Sequence, residues 1–179
     1  MPDDYLHSRD MNMSRADMED HFYSEYLGLY IVVEVEEGKI RRVEMTPKKP
    51  ASNPKGSSII GSIKEYFATG KDDFIKYDVS LDGSTHFQRT VLEAIRKIPA
   101  GKTMSYGEVA RMVGRPGAAR AVGNVMAANP IPLVIPCHRV VASNGPGGYS
   151  GGLEVKRKLL KLEGVPKKQA NKQPRHGLP

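Results

Sequence analysis

One cysteine occurs in 179 residues, and it stands in the run I-P-L-V-I-P-C-H-R-V-V, between Pro136 and His138. A lone cysteine by itself reads as a small buried apolar residue. Its neighbours alter that reading, because an adjacent imidazole base or a positive charge such as Arg139 lowers a thiol pKa and generates thiolate near neutral pH. Adjacent side chains of an extended segment point to opposite sides. A Cys137–His138 contact therefore requires a turn at Cys137 and a bridging water. Glu163 is the third candidate, placed in the last turn of an expected helix, where the helix dipole disfavours a carboxylate. Two readings account for it: a surface pairing with Lys161, or orientation of His138 as the third member of a Cys–His–Glu set.

These groups need elements to hold them. Pro130, Pro132 and Pro136 bracket the apolar run, which suits a short buried extended segment that delivers Cys137 at a turn. Beyond it, N-G-P-G-G-Y-S-G-G around Tyr149 and Ser150 can move, and can bring backbone N–H groups against a flat ligand. A helix from about Leu153 to Glu163 follows, ended by Gly164. Upstream, Thr85-x-x-Gln88 is a capping box for a helix with Phe87, Val91, Ile95 and Ile98 along one face, stopped at Pro99. Ser105-x-x-Glu108 opens a second, shorter helix through Val113 that Gly114 can terminate. Arg115-Pro116 then turns the chain into G-A-A-R-A-V-G-N-V-M-A-A-N, giving a helix-turn-helix outline that a generic helical hairpin shares. The second of these helices is built from alanine and glycine, with Arg120 as its one long cationic group. Such a helix can approach a nucleic-acid groove closely, although small residues also serve simple helix packing.

The first half of the chain carries fewer chemical signals. Residues 1–26 are polar, Met-rich and weakly patterned, and read as a loose arm or short helix. Leu29 to Val35 and Ile40 to Met45, joined by a turn at Gly38, read as a β-hairpin. Residues 47–56 form a loop, Ser58 to Ala68 has helical spacing through Ile59, Ile60, Ile63 and Phe67, and Tyr77 to Leu81 suits a further strand.

Composition bounds the class. Hydrophobic residues make up 39% and charged residues 26%, and no apolar run nears the roughly 20 residues of a membrane span. The N-terminus lacks the basic and apolar regions of a secretory signal. A single cysteine allows no internal disulfide, which fits a reducing, cytoplasmic setting. The net charge of +7 is unevenly placed: residues 1–100 hold 14 Lys and Arg against 17 Asp and Glu, and residues 101–179 hold 13 against 3. A basic C-terminal half points to a nucleic-acid partner. Lys102, Arg111, Arg115, Arg120, Arg139 and Lys156-Arg157-Lys158 are its ordered cations, and the tail 166–179 reads as basic and disordered.

Taken together, these pieces resemble the O6-alkylguanine-DNA alkyltransferase family, the methylated-DNA–protein-cysteine methyltransferases. The resemblance runs from about Thr85 to Gly164. It is carried by F-Q-R-T-V-L-E-A-I-R-K-I-P-A-G-K-T-M-S-Y-G-E-V-A, R-A-V-G-N-V-M-A-A-N-P-I-P-L-V-I-P-C-H-R-V-V and G-G-Y-S-G-G-L-E-V-K-R-K-L-L-K-L-E-G. P-C-H-R in that order is highly specific, whereas the first 80 residues hold no comparable motif.

The resemblance implies an α+β chain: a small N-terminal α/β domain with antiparallel strands, ribonuclease H-like, over 1–84, and a mostly helical, winged helix-turn-helix-like domain over 85–165. It implies direct-reversal repair, in which Cys137 takes the alkyl group from O6-alkylguanine in double-stranded DNA once per molecule; O4-alkylthymine stays open as a second lesion. Carried over by position, His138 deprotonates Cys137 through a water and Glu163 orients His138. Tyr106 donates to N3 of the base, and the Ser150 N–H faces O6. The carbonyls of Cys137 and Val140 receive the exocyclic amine, Tyr149 lines the pocket, and Asn129 braces the cysteine turn. Arg120 fills the space of a flipped nucleotide, with Ala119, Ala121 and Gly123 on the same minor-groove helix. No metal or organic cofactor is implied, and a monomer is. His86 stands where many bacterial members have proline. The N-terminal half lacks the cysteines of the zinc-binding and disulfide-bearing members, and the tryptophan that replaces cysteine in lesion-binding relatives is missing. A cysteine hydrolase and a non-catalytic DNA-binding module share parts of the pattern: the first would release product repeatedly, and the second would leave Cys137 unmodified.

Overall fold

The computed structural model describes residues 17–71 and 74–166; residues 1–16 of the expected arm and 167–179 of the expected tail lie outside them. The hairpin forms where expected, as β2 (Leu29–Glu36) and β3 (Lys39–Thr46). β2 turns Ile31, Val33 and Val35 inward, the period-2 pattern of a strand with one buried face.

The arm is corrected by β1 (Met18–Ser24), which pairs antiparallel with β2 from Met18↔Val35 to Ser24↔Leu29 and completes a sheet in the order β1-β2-β3. The strand is masked in the sequence because its buried residues include Asp20, His21 and Ser24. The Asp20 carboxylate tolerates burial because the amides of Lys55, Ser57 and His21 donate to it at 2.7, 2.6 and 2.8 Å. The strand expected over Tyr77–Leu81 reduces to one bridge, Val79 to Ile40. Arg96 holds the Tyr77 carbonyl at 2.8 Å on one side, and the turn bonded from Ser84 N–H to Leu81 begins on the other.

α1 (Ser58–Thr69) buries Ile59, Ile60, Ile63 and Tyr66. Tyr66, not the expected Phe67, is the fully buried aromatic of this helix. Both capping boxes are present, Thr85 with Gln88 on α2 (His86–Ile95) and Ser105 with Glu108 on α3 (Tyr106–Met112). α3 packs on α4 (Ala119–Ala127) across a turn in which Gly114 takes φ +71°. One apolar core runs from the sheet and α1 through α2, α3 and α4 to Leu133, Ile135, Cys137 and α5 (Leu153–Leu162). Among the described residues no helix is long and apolar enough to cross a membrane.

Candidate active site

Ile131 to Ile135 is a turn and not the extended segment expected. The Ile135 amide bonds back to the Ile131 carbonyl at 2.8 Å, and Leu133 takes a left-handed φ of +72°. A β-carbon-bearing residue pays for that conformation with about 1–2 kcal/mol, which the surroundings offset. Asn129 spans the turn, its Nδ2 donating to Ile135 O at 2.9 Å and its Oδ1 accepting from Ile131 N at 3.0 Å. Val43 of β3 ties the same turn to the sheet by donating to Pro130 O at 3.0 Å. The chain then enters a 3-10 turn, Cys137–Arg139, and leaves as β5 (Val140–Val141). β5 pairs in parallel with β4 (Met104–Ser105), immediately before Tyr106. That two-residue ladder holds Tyr106 beside the cysteine turn.

Cys137 is 2% exposed, and His138 and Arg139 are fully buried. His138 Nε2 donates to Glu163 Oε1 at 2.8 Å, which leaves Nδ1 as the proton-accepting nitrogen. Nδ1 is buried and meets no partner among the described residues. The Glu163 carboxylate is itself fully buried, so the surface pairing with Lys161 does not describe it. Arg139 reaches it through Nε at 3.1 and 3.2 Å and Nη2 at 2.9 Å. The Gly101 amide meets Oε2 at 3.2 Å and the Tyr66 hydroxyl meets Oε1 at 2.7 Å.

The electrostatics follow from this packing. Burial pushes the Glu163 carboxyl up, but the hydrogen bonds and charges of His138 and Arg139 outweigh it and bring it down to about 2. Burial pushes the Cys137 thiol up, against a hydrogen bond from Asn129 and the Lys156 charge. Burial lowers His138, against the pull of Glu163. At neutral pH the resting centre is thus a thiol, a neutral imidazole and a carboxylate.

Tyr106 sits against Gly147 so closely that a Cβ there would lie 2.5 Å from its hydroxyl oxygen. Burial raises its pKa, with a hydrogen bond from the Gly148 backbone opposing and Cys137 adding to the rise. The Tyr149 hydroxyl is buried without a partner among the described residues, and burial with the nearby Cys137 and Glu163 charges holds it well above the usual range. Ser150 is exposed. With Asn129, Pro132, Arg42 and Met45 it lines an open groove of about 400 Å³. On α4 Arg120 is exposed, Ala119 and Ala121 are half-buried, and Gly123 faces the Tyr106 ring, which lies 3.9 Å from where its Cβ would stand.

Two cations assigned to the basic surface are internal. Arg139 is spent on Glu163. Lys156 is fully buried, donating to Val140 O at 2.7 Å and Gly148 O at 3.1 Å, and burial lowers its pKa to about 8 while Cys137 opposes. It thereby joins the exit of the cysteine turn to the glycine loop. Its position three and four residues before Leu159 and Leu160, the other buried residues of α5, marks it as core-facing. Tyr66 lies three residues after Ile63 on the buried stripe of α1, a spacing that places it inward but does not name its partner. Among the described residues no cluster of three or more His, Cys, Asp or Glu is arranged to hold a metal.

Residues 86–165 match the family model for the DNA binding domain of 6-O-methylguanine DNA methyltransferase. A methylated-DNA–protein-cysteine methyltransferase of Shigella flexneri is 48% identical over 115 residues, 64% of this chain and 66% of that protein. One of Mycobacterium tuberculosis is 41% identical over 128 residues, 69% of this chain and 78% of that protein. Among solved structures, Mycobacterium tuberculosis OGT in complex with DNA aligns with a TM-score of 0.68 at 35% identity, covering 86% of this chain and 94% of that one. The O6-methylguanine-DNA methyltransferase of Pyrococcus kodakaraensis aligns at 0.65 and 25% identity, over 84% of this chain and all of that one.

Proposed function

The chain belongs to the methylated-DNA–protein-cysteine methyltransferase family, and from that premise we propose that it repairs O6-alkylguanine in double-stranded DNA by moving the alkyl group to Cys137. The observation that carries this reading is the buried His138–Glu163 pair directly after the buried Cys137, with Nε2 of the imidazole tied to the carboxylate at 2.8 Å and Nδ1 left as the accepting nitrogen. The thiol proton passes through a water to Nδ1, and sulfur attacks the alkyl carbon. The S–C bond forms as the C–O6 bond breaks, the electron pair goes onto the purine, and Tyr106 supplies the proton at N3. Asn129 holds the cysteine turn. The carbonyls of Cys137 and Val140, the Ser150 N–H and Tyr149 receive the base. Val140 O already accepts from Lys156, and its second lone pair serves the guanine amine. The thioether is stable to water, so each molecule acts once, with no metal or organic cofactor.

A thiol 2% exposed does not meet a base stacked in a duplex, so the nucleotide must leave the helix. Exposed Arg120, with Ala119, Ala121 and Gly123 on α4, suits insertion from the minor groove. The reading includes a division near residue 84, with a ribonuclease H-like first part and a winged helix-turn-helix-like second part; the antiparallel β1-β2-β3 sheet and the α3–α4 pair support it. It also takes the protein to be cytoplasmic and monomeric.

Incubation with excess O6-methylguanine duplex is expected to add one methyl group to the intact mass, on Cys137, and then stop. Repeated product release would favour a cysteine hydrolase, and an unchanged mass a DNA-binding module. Arg120→Ala is expected to slow repair of duplex DNA by 10-fold or more, about 1.4 kcal/mol or more out of the few kcal/mol of unstacking that the arginine helps offset, while reacting near-normally with free O6-benzylguanine. Equal losses on both substrates would remove the flipping role.

A further inference from the structure

The carboxylate at the end of the relay is met from both halves of the chain. His138, Arg139 and the Gly101 amide belong to the region after residue 84. Tyr66 comes from α1, and its hydroxyl donates at 2.7 Å to Oε1, the same oxygen that His138 Nε2 meets at 2.8 Å and Arg139 Nη2 at 2.9 Å. The phenol is firmly placed: Tyr66 is fully buried, with its ring at 5.4 Å from Phe67 and 5.5 Å from Phe74. Its helix ends at Gly70, whose left-handed φ of +70° lets the backbone approach until a Cβ would lie 2.4 Å from Leu162 O. Glu163 is the next residue. The end of α1 is therefore packed directly on the turn that presents the carboxylate.

We propose that Tyr66 is a positioning residue for alkyl transfer, a donor from the first half of the chain whose share of Glu163 Oε1 limits how strongly the carboxylate draws the His138 Nε2 proton. This rests on the reading that Glu163 acts through His138. A hydrogen bond to a carboxylate stabilises its charge and weakens it as an acceptor for other donors. The ionisable groups facing Glu163 and His138 are Tyr66, Arg139, Tyr149, Lys156 and Cys137. Of these, Tyr66 reaches the carboxylate from outside the motif region. Tyr66→Phe keeps the ring against Phe67 and Phe74, and Arg139 and Gly101 keep the carboxylate in place. What changes is the competition at Oε1. His138 becomes more basic, and Cys137 gives up its proton at lower pH.

The test is the single-turnover rate of transfer from an O6-methylguanine duplex, with protein saturating, followed from acid to alkaline pH for wild type, Tyr66→Phe and Glu163→Gln. Tyr66→Phe is expected to move the half-maximal pH toward acid by about half a unit, while Glu163→Gln moves it toward alkali. A Tyr66→Phe profile that superposes on wild type, or moves toward alkali, overturns the proposal and leaves the relay standing, provided that Glu163→Gln still shifts. An unmoved Glu163→Gln profile removes the relay itself, and the role of Tyr66 with it. Damage to packing alone would lower the plateau without moving the midpoint toward acid, and would also count against the proposal.

Discussion

Cys137→Ser is expected to abolish alkyl transfer, a loss on the order of a million-fold by analogy with removal of other activated nucleophiles, while DNA affinity stays within a few fold. The two effects separate because chemistry and binding use different parts of the molecule. A serine hydroxyl fits the space of a side chain 2% exposed and keeps the hydrogen bond from Asn129, so the turn and the fold persist. Its far higher pKa puts the alkoxide beyond the reach of a buried neutral imidazole whose own basicity is lowered. On the proposed reading, binding rests on cations such as Lys102, Arg111, Arg115 and Arg120, which are exposed where Cys137 is buried. Intact mass after exposure to methylated duplex and anisotropy titration with the same DNA check both halves. A retained mass shift would overturn the nucleophile assignment. A collapse of affinity would mean that the cysteine turn shapes the DNA-binding surface.

What the sequence made legible was local. Thr85 with Gln88 and Ser105 with Glu108 announce two helix starts because a capping box is complete within four residues. Cys137 at a turn follows from the prolines around it. Long-range partners were only partly legible: nothing near Tyr66 in the chain indicates a carboxylate 97 residues away, and Glu163 admitted an exposed Lys161 as readily as His138, with the buried Arg139 that also holds it not foreseen. β1 was hidden for a related reason, since Asp20 is inside only because the amides of Lys55 and Ser57 come to it from another segment. Charge counting erred in the same way. Arg139 and Lys156 add to the basic total, yet both are consumed inside, holding Glu163 and two loop carbonyls. The face available to phosphates is therefore narrower than the composition of residues 101–179 suggests.

Glu163→Gln tests whether those internal charges form one unit. At neutral pH the variant leaves the buried Arg139 guanidinium without its counter-charge, a change that costs about 3–5 kcal/mol when one partner of a buried pair is removed. The Glu163 carboxyl is depressed from 4.5 to about 2 in the folded protein. Its contribution to stability is therefore present above about pH 4.5 and is lost as pH falls from there toward 2. Denaturation midpoints of wild type and variant should differ most at neutral pH and converge in acid. The rate should respond in the other direction of pH. Without the carboxylate the imidazole is less able to take the thiol proton, so transfer at neutral pH should fall roughly 10- to 100-fold, the range seen when a partner that orients a functional histidine is lost. The defect should shrink as rising pH ionises Cys137 directly. Stability lost with transfer rates equal to wild type at every pH would make Glu163 the anchor of Arg139 alone, and the base at His138 would then work without it.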